Sequence, residues 1–226
     1  MEQFKLGFRS IIPIISGIVP FGAVMGSAFA EAKLEFWQAM LMNVTVYAGA
    51  AQLATTDLMK LNAAILVVVT TGLIINLRFL LYSAAMSPYL KTASPFIKFI
   101  CAFTLTDQSY AAMTANVDSF KSNEEATQFY LGTAVSMGLA WHASVIAGFV
   151  FGNFAPASLS LDFAIPLSFV ALLIPTLKTS KHKAIALLSS ILSLLFYSLP
   201  MKTGLIVTAL ISIGAAWALI QPKQGA

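Results

Sequence analysis

Charged residues are scarce in this chain of 226 amino acids. Only 10% of the residues are Asp, Glu, Lys or Arg, whereas an average soluble domain contains about 25%. A soluble protein of this length exposes a large surface, and 13 basic and nine acidic side chains are too few to keep that surface in water. The scarcity of charge therefore excludes a water-soluble enzyme, a disordered chain and a nucleic-acid-binding protein.

Cysteine and histidine are nearly absent as well. Cys101 is the only cysteine, so the chain can form neither an internal disulfide bond nor a thiolate metal site. The two histidines, His142 and His182, are far apart in the sequence, and the chain lacks the motifs of metalloproteases, P-loop proteins, serine hydrolases and dinucleotide-binding enzymes. We therefore expect no enzymatic activity, no metal and no cofactor.

Apolar residues make up 58% of the chain, and the mean hydropathy is +0.84. They are grouped in runs close to the roughly 20 residues that a helix needs to cross a bilayer. Eight segments can be distinguished, at residues 10–30, 36–56, 62–87, 96–117, 126–152, 162–178, 183–199 and 203–220. Because the loops between them are short, the sequence predicts one all-α integral membrane domain over residues 1–226, with seven or eight transmembrane helices.

The basic residues predict how the chain is oriented in the membrane. If both chain ends are cytoplasmic, twice as many Lys and Arg residues fall inside as outside, which follows the positive-inside rule. Lys91 and Lys98 are exceptions, and a re-entrant segment among segments two to four would explain them and leave seven crossings. Lys5, Arg9 and the first apolar run resemble a signal peptide, but the run is longer than the usual core of about 7–15 residues, which favours a retained helix.

Glycine and proline interrupt several apolar segments. Segment one contains Pro20-Phe21-Gly22, and segment two contains Gly49-Ala50-Ala51-Gln52. Such residues are common in membrane helices, yet a broken helix in hydrocarbon needs protein or a wet cavity around its unpaired backbone groups. Discontinuous helices often form the substrate sites of transporters. The two interruptions therefore predict discontinuous helices that contribute four residues to a substrate site: Phe21, Gly22, Gly49 and Gln52.

Arg78 lies near the middle of segment three, where an arginine costs about 2.5–3.5 kcal/mol on insertion scales. On a helix it shares a face with Thr71 and Tyr82, and this polar stripe is expected to face the interior of the helix bundle. Arg78 is either a structural residue that snorkels or pairs with a carboxylate, or a guanidinium that binds a substrate carboxylate. In the second case Asn76 and Tyr82 belong to the same substrate site.

Asp107 and His142 are the other ionisable residues near segment centres. A buried carboxylate must be paired, hydrogen-bonded or protonated, so Asp107 is a candidate to hold a substrate ammonium, to carry a coupling proton or to pair with Arg78. In a continuous helix, Thr104 and Thr114 lie on the same side as Asp107. His142 titrates near physiological pH and is a second candidate for proton coupling, the alternative being a hydrogen-bonded packing residue.

Several motifs occur in a fixed order along nearly the whole chain. They are Gly7-Phe8-Arg9 followed by Val19-Pro20-Phe21-Gly22, Tyr47-Ala48-Gly49-Ala50-Ala51-Gln52, Asn76-Leu77-Arg78-Phe79-Leu80-Leu81-Tyr82 followed by Pro88-Tyr89-Leu90, Leu105-Thr106-Asp107-Gln108-Ser109, and Leu161-Asp162-Phe163-Ala164 leading to Ile174-Pro175. Together they resemble the AzlC family, the large subunits of bacterial branched-chain amino-acid exporters. The chain departs from the family pattern at Ala50, usually serine, and at Gln108, usually glutamate, while a histidine is common at the position of Phe79.

The resemblance implies export of valine, leucine or isoleucine across the bacterial inner membrane, with a small, separately encoded AzlD-type subunit as partner. A zwitterionic, apolar amino acid needs an anion site, an ammonium site and an apolar pocket. Arg78 or the N-terminus of a broken helix suits the carboxylate, and Asp107 with backbone carbonyls near residues 49–52 suits the ammonium. The rings of Phe21, Phe79 and Phe103 suit the apolar side chain.

The expected function is therefore a multi-pass secondary transporter in the lipid bilayer, coupled to protons and with a cytoplasmic N-terminus. An uncoupled channel or facilitator, or a structural subunit of a membrane complex, is the alternative.

Overall fold

A computed structural model of the chain describes residues 2–151, 179–199 and 203–219, with isolated positions at 170, 173 and 177. The helices of the described ranges are α1 Glu2–Ser10, α2 Ile12–Glu31, α3 Phe36–Val46, α4 Gly49–Lys60, α5 Ile65–Asn76, α6 Arg78–Met86, α7 Pro95–Phe103, α8 Asp107–Ala115, α9 Asn123–Phe151, α10 Ser180–Leu195 and α11 Thr203–Leu219. Two short 3-10 helices, Ser87–Leu90 and Val117–Ser119, follow α6 and α8. The prediction of an all-α protein is thus confirmed for these ranges.

The chain divides into two compact units, Met1–Leu172 and Leu173–Ala226. Helices α1 to α9 belong to the first unit, and α10 and α11 belong to the second, where they pack against each other. Nearly all of predicted segment six lies outside the described residues, as does most of the C-terminal motif at residues 161–175. The prediction of a single domain stays a prediction.

Three stretches of the described chain are long and apolar enough to cross a membrane: Ile12–Glu31, Ile65–Leu90 and Asn123–Phe151. They correspond to predicted segments one, three and five. Their outer faces carry large exposed apolar side chains, such as Leu73 and Leu139, which are 64% and 63% exposed. Apolar surface on this scale is rare on soluble monomers and is suited to contact with lipid.

Helix α9 is the centre of the first unit, with α1 and α2 packed closely against it. A Cβ atom on Gly26 would overlap the backbone carbonyl of Val145, and one on Gly148 would overlap that of Ala23. Small residues of this kind let two helix backbones approach within a membrane. The contact between α2 and α9 therefore depends on the missing side chains at these two glycines.

The predicted break at Pro20-Phe21-Gly22 is wrong, because α2 continues through Pro20. The interruption lies earlier, at Ile11 between α1 and α2, and Pro13 occupies the first turn of α2, where a backbone N–H is not needed. Gly22 faces α9, and a Cβ there would lie 2.6 Å from that of Ser144. Close packing against α9 holds α2 together despite the hydrogen bond that Pro20 cannot make.

Segment two is broken, as predicted, although the break precedes Gly49 instead of following it. Helix α3 ends at Val46, Tyr47 adopts a left-handed φ of 39°, and α4 begins at Gly49. The last carbonyls of a helix have no partner in a following turn. The side-chain amide of Gln52 donates to the carbonyls of Met42 and Asn43, at 3.2 and 3.3 Å, and so closes the break.

Segment four is also broken, which the sequence analysis did not predict. Helix α7 ends at Phe103 and α8 begins at Asp107, so the expected alignment of Thr104, Asp107 and Thr114 on one continuous helix is wrong. Thr106 is the N-cap of α8, since its hydroxyl accepts a hydrogen bond from the backbone N–H of Ser109 at 3.2 Å. A threonine that precedes an acidic first helical residue is a known helix-start signal, and it was present in the sequence.

An exposed ionic cluster joins the C-terminal ends of α2 and α4. The ammonium of Lys60 lies 2.7 Å from Glu31 and 3.7 Å from Asp57. The hydrogen bond to Glu31, assisted by both negative charges, raises the pKa of Lys60 above its ordinary value, so Lys60 stays charged at physiological pH. Glu31 and Asp57 are therefore exposed, paired charges, with side chains 60% and 59% exposed.

Substitution of Gly148 by alanine tests the close contact between α2 and α9. The added Cβ must displace the backbone of α2 at Ala23, which costs about 1–3 kcal/mol of unfolding free energy. Gly214→Ala is the matched control, because a Cβ at this helical position meets no atom within 4 Å and adds helix propensity. We expect a lower thermal midpoint in detergent for the first variant only, and equal midpoints would contradict the close contact.

Candidate functional site

Arg78 and Asp107 form an ion pair, with 3.1 Å between Arg78 Nη1 and Asp107 Oδ1. The hydroxyl of Tyr82 donates to the same Oδ1 at 3.0 Å, as expected if Arg78 and Tyr82 share a helix face. Arg78 is the first residue of α6 and Asp107 the first of α8. Their side chains are only 25% and 19% exposed. The pair thus links two helix starts, and neither contact uses Asp107 Oδ2.

The guanidinium of Arg78 retains unused hydrogen-bonding capacity. Its Nε and Nη2 atoms are buried and have no hydrogen-bond partner among the described residues, and the same holds for Oδ1 of Asn76. The guanidinium carbon lies 5.1 Å from the centre of the Phe79 ring, a distance that allows a cation–π interaction. Arg78 can therefore bind a further acceptor without giving up Asp107.

A small cavity lies where the two helix breaks meet. Its walls come from the α3–α4 break (Tyr47, Ala48, Gly49 and Ala50), from the α7–α8 break (Thr106, Asp107 and Gln108), and from side chains on α2, α6 and α9 (Phe21, Phe79, Met137 and Trp141). The cavity has a volume of about 20 Å³, which is room for roughly one water molecule. Discontinuous helices, as predicted, contribute to this site, although the second of them is α7–α8 and not α2.

The predicted site residues fall into three groups. Those that line the cavity are Phe21, Gly49, Asp107 and Phe79. Those that reach it through Asp107 are Arg78 and Tyr82. Those that are not among its lining residues are Gly22, Gln52, Asn76, His142 and Phe103. Gln52 instead closes the α3–α4 break, and Phe103 is 47% exposed and stacks on Phe99.

Asn43 organises the hydrogen bonds behind the cavity. The indole N–H of Trp141 donates to Asn43 Oδ1 at 2.9 Å, which fixes the orientation of the amide. The amide nitrogen lies 2.9 Å from Nδ1 of His142, so it donates and His142 Nδ1 accepts. His142 is then a neutral imidazole whose proton is on Nε2, and its ring lies against that of Tyr47. This geometry fits the packing interpretation of His142.

The two helix starts at the cavity differ in their charge. Helix α4 has no side-chain cap at Ala48 and no acidic residue in its first turn, so its positive end is unopposed. Helix α8 carries Asp107 in its first turn, and that carboxylate offsets the positive end of its own helix. The cavity therefore has a wall that favours an anion, at Gly49 and Ala50, and a wall that favours a cation, at Asp107.

The sequence analysis missed several residues that line the cavity. Met137 and Trp141 are one helical turn apart on α9 and therefore present one face, a spacing that was readable in the sequence. Tyr47 is 7% exposed, and its hydroxyl has no hydrogen-bond partner among the described residues. Its role depends on the left-handed backbone at the break, for which no local sequence signal exists.

Substitution of Trp141 by phenylalanine tests the hydrogen bonds behind the cavity. Loss of the indole N–H leaves Asn43 Oδ1 with only the 3.5 Å contact from Gln52, which costs about 1–3 kcal/mol of unfolding free energy. Trp217→Phe is the control, because Trp217 is 74% exposed. Thermal unfolding in detergent measures both, and an effect of Trp217→Phe as large as that of Trp141→Phe would contradict the assignment.

Comparison with known proteins places the chain among membrane proteins. A family model described as "AzlC protein" matches residues 13–155. An "uncharacterized membrane protein" of Archaeoglobus fulgidus is 28% identical over 217 residues, which cover 92% of this chain and 91% of that protein. Two proteins with the same description, from two strains of Helicobacter pylori, are 26% and 24% identical over 185 residues, 81% of this chain and 80% of each protein. No solved structure matches the chain. Since the family model covers more than half of its length, this membrane protein belongs to the AzlC family.

Proposed function

We propose that the chain is a secondary transporter that exports small hydrophobic amino acids, the branched-chain ones, across the cell membrane. The observation that carries the proposal is the meeting of two helix breaks at one cavity beside the Arg78–Asp107 pair. Family membership supports the substrate class and an AzlD-type partner subunit. We further propose seven or eight crossings, in a bacterial inner membrane, with the N-terminus in the cytoplasm.

The charges of the cavity are arranged to suit a zwitterion. The uncapped start of α4 at Gly49 suits the carboxylate, since an anion at a helix N-terminus gains about 0.3–1 kcal/mol, and up to about 2 when partly buried. The ion pair with Arg78 and the hydrogen bond from Tyr82 both use Oδ1 of Asp107. Oδ2 of Asp107, which neither contact uses, suits the ammonium. The rings of Phe21 and Trp141 provide an apolar surface for the side chain.

The described conformation is too closed to hold the substrate. The cavity has room for about one water molecule, whereas valine needs several times that space. Binding therefore requires one of the broken helices to move, and we propose that it pivots at Tyr47–Ala48 or at Thr104–Thr106, where the helices are interrupted. Hinges of this kind lie at the ends of helical elements and absorb the change in backbone angles.

Proton coupling follows from competition at one carboxylate. Asp107 holds a substrate ammonium only when it is ionised, and a proton on Asp107 removes the charge that attracts both the ammonium and Arg78. Proton binding from one side of the membrane therefore releases the amino acid there, and loss of the proton to the other side restores the site. One amino acid leaves the cell for each proton that enters.

Substitution of Asp107 by asparagine tests this coupling. In everted membrane vesicles from cells that express the chain with its partner subunit, we expect leucine or valine uptake that a protonophore abolishes. Asp107→Asn should lose the gradient-driven uptake, at least about tenfold, because the amide neither ionises nor holds an ammonium. Asp57→Asn is the matched control, since Asp57 is a 59% exposed carboxylate at the end of α4.

Two results would favour the alternatives. Uptake that follows the amino-acid gradient alone, and survives in Asp107→Asn, would identify an uncoupled facilitator. An Arg78→Ala variant that loses stability and partner binding, with unchanged amino-acid affinity, would identify a structural subunit.

A pair of serine substitutions tests the start of α4 as part of the substrate site. A Cβ on Gly49 would lie 2.6 Å from the Trp141 ring and 3.1 Å from that of Phe21, so Gly49→Ser must displace the wall of the cavity. Gly214→Ser adds the same side chain away from the cavity, where a Cβ meets no atom within 4 Å. We expect KM for leucine to rise by about tenfold or more in Gly49→Ser and to change little in Gly214→Ser. Equal effects would contradict the assigned site.

A further inference from the structure

A second cavity of about 230 Å³ lies between the end of α6, its 3-10 helix, α7 and α9. It shares no lining residue with the cavity at the helix breaks. Its floor includes Met86, Cys101 and Tyr130, which are 3%, 2% and 0% exposed. The Tyr130 hydroxyl donates to the carbonyl of Cys101 at 2.8 Å, so this polar group is already satisfied. The floor is therefore apolar. The volume of the whole cavity exceeds that of an engineered apolar cavity of about 150 Å³ that binds benzene.

Two lysines line this cavity and contact each other. Lys91 and Lys98 both line it, both are exposed, and the ammonium of Lys98 donates to the carbonyl of Lys91 at 3.0 Å. Neither lysine takes part in a salt bridge within the described ranges, and the lining includes no Asp or Glu. The cavity thus combines an apolar floor with two positive charges that no carboxylate neutralises.

The cavity lies at the end of a candidate membrane span, because Leu90, the last residue of Ile65–Leu90, lines it. Lys98 is in the first turn of α7, and Ala102, about one turn later, also lines the cavity. Four helical residues span roughly 6 Å, so the cavity extends at least about that far from its charged end. On the same helix, Phe96 and Phe99 are 69% and 67% exposed, which suits contact with hydrocarbon. Lys91 and Lys98 are also the two lysines that depart from the positive-inside distribution, and a binding role gives a reason for their presence.

We propose that this cavity binds an anionic phospholipid, with the phosphate at Lys91 and Lys98 and the first part of an acyl chain over Met86, Cys101 and Leu105. Basic pockets between membrane helices bind lipid headgroups in this way. An amino acid fits the cavity poorly, because its ammonium would be buried without a carboxylate. A free fatty acid offers the same single negative charge and an acyl chain, so palmitate is the competing ligand in the test.

Native mass spectrometry of the purified full-length chain tests the proposal. The protein is delipidated in detergent and titrated with phosphatidylglycerol or with phosphatidylcholine of the same acyl chains. Each lysine near a membrane surface contributes about 1 kcal/mol toward an anionic lipid, so the two should favour phosphatidylglycerol roughly 10- to 30-fold. Lys91→Gln/Lys98→Gln should lose this preference, whereas Lys33→Gln/Lys121→Gln, which removes two lysines away from the cavity, should keep it.

A second variant tests the apolar floor. Ala102→Phe places a ring in the cavity, and we expect weaker binding of phosphatidylglycerol while the two lysines remain. Size-exclusion elution and the thermal midpoint show whether each variant is folded. If Ala102→Phe does not fold, the lysine variants alone test the proposal.

Four results of the lipid titrations would overturn the proposal. They are equal binding of the two lipids by the unaltered chain, an undiminished preference in Lys91→Gln/Lys98→Gln, binding of palmitate in place of the phospholipid, and displacement of the lipid by leucine. Dimers that carry no lipid in the same spectra would also overturn it, because a second copy of the chain would then cover the cavity.

Discussion

A backbone group in hydrocarbon has no water to bind, and the first unit depends on how its α3–α4 and α7–α8 breaks meet this constraint. At the α3–α4 break the amide of Gln52 donates to the carbonyls of Met42 and Asn43. At the α7–α8 break the hydroxyl of Thr106 accepts from the backbone of Ser109. Side chains therefore satisfy part of each break, and the uncapped start of α4 meets the capped start of α8 at one cavity.

The Arg78–Asp107 pair connects this architecture to the proposed chemistry. An arginine in an apolar segment is costly unless a partner is near, and Asp107 is that partner at 3.1 Å. The same carboxylate lines the cavity, where a proton or an ammonium can compete for it. In the proposed mechanism the pair, which reduces the cost of two partly buried charges, is also the switch, because protonation of Asp107 frees Arg78.

Part of the site could be predicted from the sequence, since ionisable residues in apolar runs stand out without any knowledge of the fold. Arg78 and Asp107 were found in this way, and Gly49 was found as a helix-breaking residue. Trp141 and Tyr47 were missed, because apolar and aromatic residues on a buried helix face give no sign of which ones border a cavity. Gln52 was placed in the substrate site, but its amide is engaged by α3, and that contact exists only after the helix has broken.

The sequence by itself determined that the chain is helical and membrane-embedded, and that a guanidinium and a carboxylate lie within its apolar segments, because composition and hydropathy are local properties. Only the tertiary structure decided where the helices break. Proline predicts a break at Pro20, yet the packing of Gly22 and Gly26 on α9 keeps α2 whole. No proline lies at Thr104–Thr106, yet α7 ends there and α8 begins. Contacts between distant segments outweigh a single local preference, and these contacts bring the two helix starts to one cavity.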